Sequence, residues 1–276
     1  MGEAGSIWER LDKLDRRAYY WLIVIAIAVP YIHPIGLPIT IKPSTRALYE
    51  GLLEVEEGDI VLIDIFMSVS TWPECMGGLV VEVNTLLDQG ARLVFIGNSI
   101  DVARTWDRLH ELIPRLNELE YGKDIVFLGY YAGADAAAQQ MAVDMSSIFP
   151  TDHYGTPVEE LPLMREANTA KDYAMVLFTA EGEVKWIQQW GEPYGIPVGG
   201  VGIAMKGSAL APYLESGDIF GLAVGVRGAA ELEALAGMPG DATIRMDAIS
   251  MTHLLFVILV ILANLPTIIA KVRGEK

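Results

Sequence analysis

Two stretches free of Asp, Glu, Lys and Arg bracket this chain: Ala18 to Ile41, 24 residues, and Ala248 to Ala270, 23 residues. As a helix, each is long enough to cross a hydrocarbon core of ~30 Å, which needs about 20 residues. Whatever lies between them, roughly 38–247, has to fold as a unit of its own. The apolar fraction of 52% is high for a soluble protein, and these two runs account for the excess.

A cleaved signal peptide competes for the first run, because its densest apolar part, Trp21 to Ile32, is short and follows basic residues. The 17-residue leader is of mixed charge and no small-x-small cleavage site follows, which favours an uncleaved transmembrane helix over 18–37. Tyr19, Tyr20 and Trp21 suit the headgroup level at its start. Pro30, Pro34 and Pro38 are expected to end or kink it, since proline lacks an N–H and clashes with the preceding turn. The second transmembrane helix is expected over 248–270, where Asn264 and Thr267 can hydrogen-bond to a neighbouring helix.

The flanks set an orientation. Arg10, Lys13, Arg16 and Arg17 precede the first run, and Lys271, Arg273 and Lys276 follow the second. The positive-inside rule then puts the tails, 1–17 and 271–276, in the cytoplasm and 38–247 outside the cell membrane. Removing the four basic and four acidic residues of the first tail, and the three and one of the second, leaves 13 Lys and Arg against 31 Asp and Glu, a net charge of −18. Such a field repels nucleic acid. The single cysteine, Cys75, excludes an internal disulfide and reads as a small buried hydrophobe.

The middle reads as strand and helix in alternation. "KPSTRALYEGLLEV" opens it as a short helix behind Pro43. "DIVLIDIF", "RLVFIG", "DIVFLGY", "YAMVLFT", "PVGGVGIAM" and "IFGLAVGV" are apolar strands. Between them, "MGGLVVEVNTLLDQG" and "SIDVARTWDRLHELIPRLNELEYG" have helical periodicity, the latter with a bend at Pro114. Further helices follow in "ADAAAQQMAVDM", "EVKWIQQWGEPYG", "SALAPYLESG" and "GAAELEALAG". Uninterrupted apolar strands between amphipathic helices predict a three-layer α/β/α domain with a mainly parallel sheet. A boundary between two lobes near 150–170 is a further expectation, because the longest polar connection runs from Phe149 to Lys171.

Ligands of such sheets sit where strands end and helices begin. The turns after the strands offer Ser68 and Ser70, then Asn98, then Tyr130 and Asp135, and finally Arg227, whose guanidinium at a helix start suits a carboxylate. "GYYAGA" lacks the dinucleotide glycine spacing and "GGVGIAMKG" is not a phosphate-binding loop, so no nucleotide site is expected. "GNSID" lacks the second glycine of a nucleophile elbow, and Ser99 reads as a helix cap. No His or Cys pair has zinc spacing, and neither a metal nor another cofactor is expected. In "FPTDHYGTP", His153 with Asp152 supplies the only imidazole placed for chemistry in the domain.

"FPTDHYGTPVEELPLM", "DIVFLGYYAG" and "VRGAAELE", with the two flanking runs, resemble a group of prokaryotic two-span membrane proteins to which no activity is attached. "LLDQGARLVFIG" is similar to the helix-to-strand step of extracytoplasmic glutaminase-like domains that accompany export permeases. The resemblance implies the topology and assigns no residue a role. Three expectations follow. The first is a ligand-binding or accessory subunit of a membrane assembly, as a homo-oligomer or with other membrane proteins. The second is an extracytoplasmic hydrolase or lyase that uses His153 and Asp152, with Tyr130, Ser68, Ser70 and Arg227 nearby. The third is a scaffold without a pocket.

Overall fold

The computed structural model describes residues 15–272, without the side chains of 16 and 266–272. Arg10, Lys13, Arg273 and Lys276 of the expected tails, and the side chains of Arg16, Thr267 and Lys271, lie outside the described residues. Two compact units are present, one of residues 39–242 and one that joins the two apolar runs.

Six strands build the larger unit: β1 (Ile60–Asp64), β2 (Arg92–Gly97), β3 (Ile125–Tyr130), β4 (Met175–Ala180), β5 (Val198–Gly202) and β6 (Gly221–Val224). All pairings are parallel, in the order β3-β2-β1-β4-β5-β6. The helices named below are α1 (Arg16–Ile32), α2 (Pro43–Leu53), α3 (Trp72–Asp88), α4 (Val102–Leu112), α5 (Ala134–Val143), α6 (Glu183–Trp186), α7 (Gly207–Ser216), α8 (Gly225–Ala236) and α9 (Asp241–Val272). The expected α/β class with a parallel sheet is therefore present.

Alternate residues of each strand feed two cores. Val61, Ile63, Phe95, Phe127 and Leu177 pack under α2, α3, α4 and α8. Ile60, Leu62, Val94, Val126 and Phe178 pack under α5, α6 and α7. With neither face exposed to solvent, continuous apolar strands are what the arrangement requires. At the β6 edge, α2 lies directly on the sheet: a Cβ on Gly221 would come within 2.2 Å of the Leu48 backbone, so only glycine fits. Pro114 does more than bend its helix: α4 stops at Leu112, and Pro114–Glu118 continues as a 3₁₀ turn.

Buried acids fix both places where the chain enters and leaves this unit. Glu231 of α8 accepts the Lys42 N–H at 3.0 Å and the Thr45 hydroxyl at 2.7 Å, and so caps the start of α2. Two residues on, Glu233 accepts the N–H groups of Gly240 and Ala242, at 2.9 and 3.0 Å, at the start of α9. Carboxylates at helix N-termini meet both unfilled N–H groups and the favourable end of the helix dipole.

The apolar runs differ in length as helices. α9 contains a 25-residue segment, Asp241–Leu265, whose most apolar 18-residue window has mean hydropathy 2.3, long and apolar enough to span a membrane. α1 has 17 residues, or about 25 Å at 1.5 Å per residue. Pro30 sits inside it, it ends at Ile32, and residues 34–41 of the uncharged run form neither helix nor strand. Within this unit the Asp247 carboxylate of α9, itself 2% exposed, accepts the consecutive N–H groups of Ile35, Gly36 and Leu37 at 2.8–2.9 Å. The segment after α1 is thereby pinned to the first turns of α9.

Glu82 stands apart from these paired acids. It is fully buried on α3, and neither carboxylate oxygen has a partner. Burial holds its carboxyl well above the usual carboxylate range. The folded chain thus keeps a proton that the unfolded chain releases above pH 4.5, and stability falls as pH rises from there through the folded-state pKa. Glu82→Met removes the penalty. It should exceed the wild type by about 1–3 kcal/mol at pH 8, with the gap narrowing towards pH 4, in chemical unfolding followed by circular dichroism. A gap that does not vary with pH would mean that the folded state does not hold the proton.

Candidate functional site

In this strand order the chain reverses direction across the sheet between β1 and β4, and the crevice outside their carboxyl ends is where open parallel sheets bind ligands. A charged residue interrupts the apolar core there. Asp64, the last residue of β1, is fully buried. Its Oδ2 receives Lys185 Nζ at 2.8 Å, the indole N–H of Trp186 at 2.7 Å and the hydroxyl of Tyr131 at 3.1 Å. Its Oδ1 is buried with no partner. The Lys185 ammonium, on a side chain only 7% exposed, also lies over the rings of Phe66, Tyr131 and Trp186, at 5.1, 5.1 and 5.4 Å from their centroids.

The backbone is shaped to hold this pair. α6 begins two residues after Glu181 and passes at Ile187–Gly191 into a π-helical turn, a form that concentrates at functional sites. Trp186 and Trp190 meet edge to face at 5.3 Å, the first on Asp64 and the second on the Ala138 carbonyl. Ala180, at the end of β4, has φ +64, a left-handed conformation that costs a residue with a Cβ. Gly182 then crosses so close that a Cβ there would lie 2.8 Å from Asp64 Oδ2 and 3.3 Å from Lys185 Nζ. Beside this turn Glu183, also buried, gives Oε1 to Lys206 Nζ at 3.0 Å, and its Oε2 has no partner. Burial and the neighbouring Asp64 push the Tyr131 hydroxyl well above the usual tyrosine range, so it stays a donor.

The residues singled out from sequence spread along the whole sheet edge. Ser68 and Ser70 share a hydrogen bond of 2.7 Å after β1, and Asp101 reaches across from the β2 turn to the Val69 N–H at 3.2 Å. Ser99 accepts the Asp101 N–H but is not the helix cap expected: α4 starts at Val102, Asp101 holds the cap position, and no side chain caps it. Asn98 is half-buried after β2, while Tyr130 and Asp135 are exposed after β3. Arg227 is at the opposite edge, in the first turn of α8, with its guanidinium bound to Glu231 at 2.9 Å and to the Thr40 carbonyl at 3.2 Å.

The "FPTDHYGTP" loop runs along the β3 edge, where His153 donates its N–H to the Phe127 carbonyl and packs its ring 4.8 Å from that of Phe127. Asp152 is buried and already occupied: Oδ2 accepts the Tyr121 hydroxyl at 2.8 Å, and Oδ1 accepts the N–H groups of Tyr154 and Thr156 at 2.9 and 2.8 Å. The aspartate thus shapes the loop. β2 separates β3 from β1, so the loop lies about 10 Å of sheet away from the crevice. Cys75 is free and buried, its thiol pushed up to about 12 by burial and by Glu74, which leaves it protonated and inert.

Sequence reasoning missed Asp64, Glu183, Lys185 and Lys206, and of the strand-end turns it reached only Tyr131 of this cluster. One signal was there: Asp64 is the single charge inside "IVLIDIF". Two concavities lie elsewhere. One of about 540 Å³ is lined by Pro150, Pro157, Met164 and Arg165, and one of about 330 Å³ lies at the amino ends of β5 and β6. Neither contains a buried carboxylate with an unfilled oxygen, so the chemistry points to the β1–β4 crevice. Among the described residues no group of three or more His, Cys, Asp or Glu converges as a metal site. Comparison with protein-family models and with curated proteins found no match.

Lys185→Met should destabilise the protein by about 3–5 kcal/mol, because it leaves the buried Asp64 charge uncompensated. The double variant Asp64→Asn/Lys185→Met should recover more than half of that loss in chemical unfolding, whereas additive losses would mean the two groups act separately.

Proposed function

We propose that this chain is a membrane-anchored α/β domain that binds a small ligand at the carboxyl ends of β1 and β4, as a binding or accessory subunit of a membrane assembly. The observation that carries the reading is the Asp64–Lys185 pair at the switch point, buried, walled by aromatic rings and left with an unfilled acceptor. Structural economy does not account for it, since a buried ion pair is often no more stable than apolar residues of the same volume.

Anchoring rests on α9, and the Asp247 clamp supports a second span. The clamp ties residues 35–37, just after α1, to the first turns of α9, which would bring two spans together. Apolar side chains such as Trp21, Val24, Ile25, Phe256, Val257 and Ile261 are exposed along both helices, as lipid contact demands. α1 is short for a span, and this reading has it completed by the apolar residues that follow, or by local thinning of the bilayer. Basic flanks on both runs favour an orientation with the termini in the cytoplasm and residues 39–242 outside. The Asn264 amide bonds the Val260 carbonyl of its own helix, so assembly through that residue has no support. The occupied Asp152 gives the hydrolase reading none either.

Tags on both termini should be protected from protease in intact cells while residues 39–242 are cleaved; a tag exposed at one end only would overturn the two-span topology. Glu183→Gln removes the buried charge while keeping an oxygen for Lys206 Nζ, so it should fold. Small-molecule extract of the host should raise the Tm of the detergent-solubilised wild type and have less effect on this variant. Equal shifts would remove the crevice as the site.

A further inference from the structure

The two carboxylates at the crevice are asymmetric in the same way. Asp64 Oδ2 holds three donors and Glu183 Oε1 holds one, while Asp64 Oδ1 and Glu183 Oε2 are buried and have none. Buried acceptors of this kind normally have a partner, and a charged one has most to gain from it. What is missing at both is a donor, which defines the chemistry of whatever completes the site.

An anion brings only lone pairs and would meet the unfilled carboxylate oxygens. A divalent cation needs several oxygens converging on it. Here each carboxylate already shares its other oxygen with a lysine ammonium, and among the described residues no third acid, His or Cys joins them. An alkylammonium matches on each count. It offers N–H groups only, and its charge suits strand-end turns that carry Glu74, Asp101, Asp135 and Glu181 against the two lysines and Arg104, which pairs with Asp101. Those acids act on this end of the sheet: Asp135 bears on the Tyr131 hydroxyl, and Glu74 and Glu181 on the Cys75 thiol. Lys185 shows that the local chemistry accepts such a group, since its own ammonium rests on Asp64 among three aromatic rings.

We infer that the β1–β4 crevice takes the primary ammonium group of a small amine, either an amino acid or a polyamine, with the unfilled oxygens of Asp64 and Glu183 as acceptors. The inference rests on the crevice being the binding site. The Ala180–Gly182 turn covers Asp64 and contains the left-handed Ala180.

Titration calorimetry of the detergent-solubilised full-length protein tests it with glycine, L-alanine, putrescine and spermidine as probes. Trimethylglycine keeps the charge without N–H groups, N-acetylglycine lacks the ammonium, and glycerol offers hydroxyls alone. At least one primary amine should bind, its methylated or acetylated counterpart should bind about tenfold or more weakly, and Glu183→Gln should weaken the amine by a similar factor. Asp64→Asn should do the same; near-ultraviolet circular dichroism checks that it folds, and Glu183→Gln carries the test if it does not. Binding by glycine but not putrescine identifies the amino-acid source, and the reverse the polyamine. No binding by any primary amine at millimolar concentration overturns the inference, as does amine binding that both variants leave unchanged. Glycerol binding lost in Glu183→Gln overturns the ammonium while leaving the crevice as the site.

Discussion

A parallel sheet covered by helices on both faces has no solvent side, so every polar atom that enters it must be paired inside the protein. The architecture here follows from that demand. Alternate strand residues supply two separate apolar cores, and helix starts are satisfied by carboxylates reaching in from neighbouring elements. The same demand makes the exceptions informative. Glu82 leaves both oxygens unpaired and avoids the charge by keeping a proton, whereas Asp64 and Glu183 keep one oxygen paired and one unfilled at the switch point of the sheet.

α8 carries much of the connection between sequence and architecture. Glu231 and Glu233, two residues apart, hold the points at which the chain enters and leaves the larger unit. Arg227, which from sequence looks like a ligand for a carboxylate, supports Glu231 in that task. Asp247 does comparable work between the apolar helices by gathering three backbone N–H groups. In each case an acid that reads as one more contribution to a large negative charge is a buried structural acceptor.

The polar loop that first attracts a catalytic reading illustrates the same distinction. Asp beside His is a familiar pairing, yet adjacency in sequence says little about adjacency of side chains. Asp152 turns inward to tie its own loop and Tyr121 together, and the His153 ring packs against Phe127 at the edge of the sheet. The residues with unmet bonding capacity lie instead in "IVLIDIF" and "EGEVKW", segments that look like an ordinary strand and helix.

The sequence by itself determined the class of the domain, the positions of its six strands and the apolar character of both flanking runs. These depend on local pattern, on the spacing of apolar residues and on where glycine and proline interrupt it. It also carried the limits on chemistry set by four histidines and one cysteine. Only the tertiary structure decided the strand order, and with it that β1 and β4, more than a hundred residues apart, share the crevice. Whether Asp64 meets Lys185 or solvent depends on that pairing and on the turn at Gly182, so no local pattern could reveal it. The length of α1 was settled the same way: its composition permits a span, but the helix ends at Ile32 and the Asp247 clamp ties down residues 35–37 beyond it.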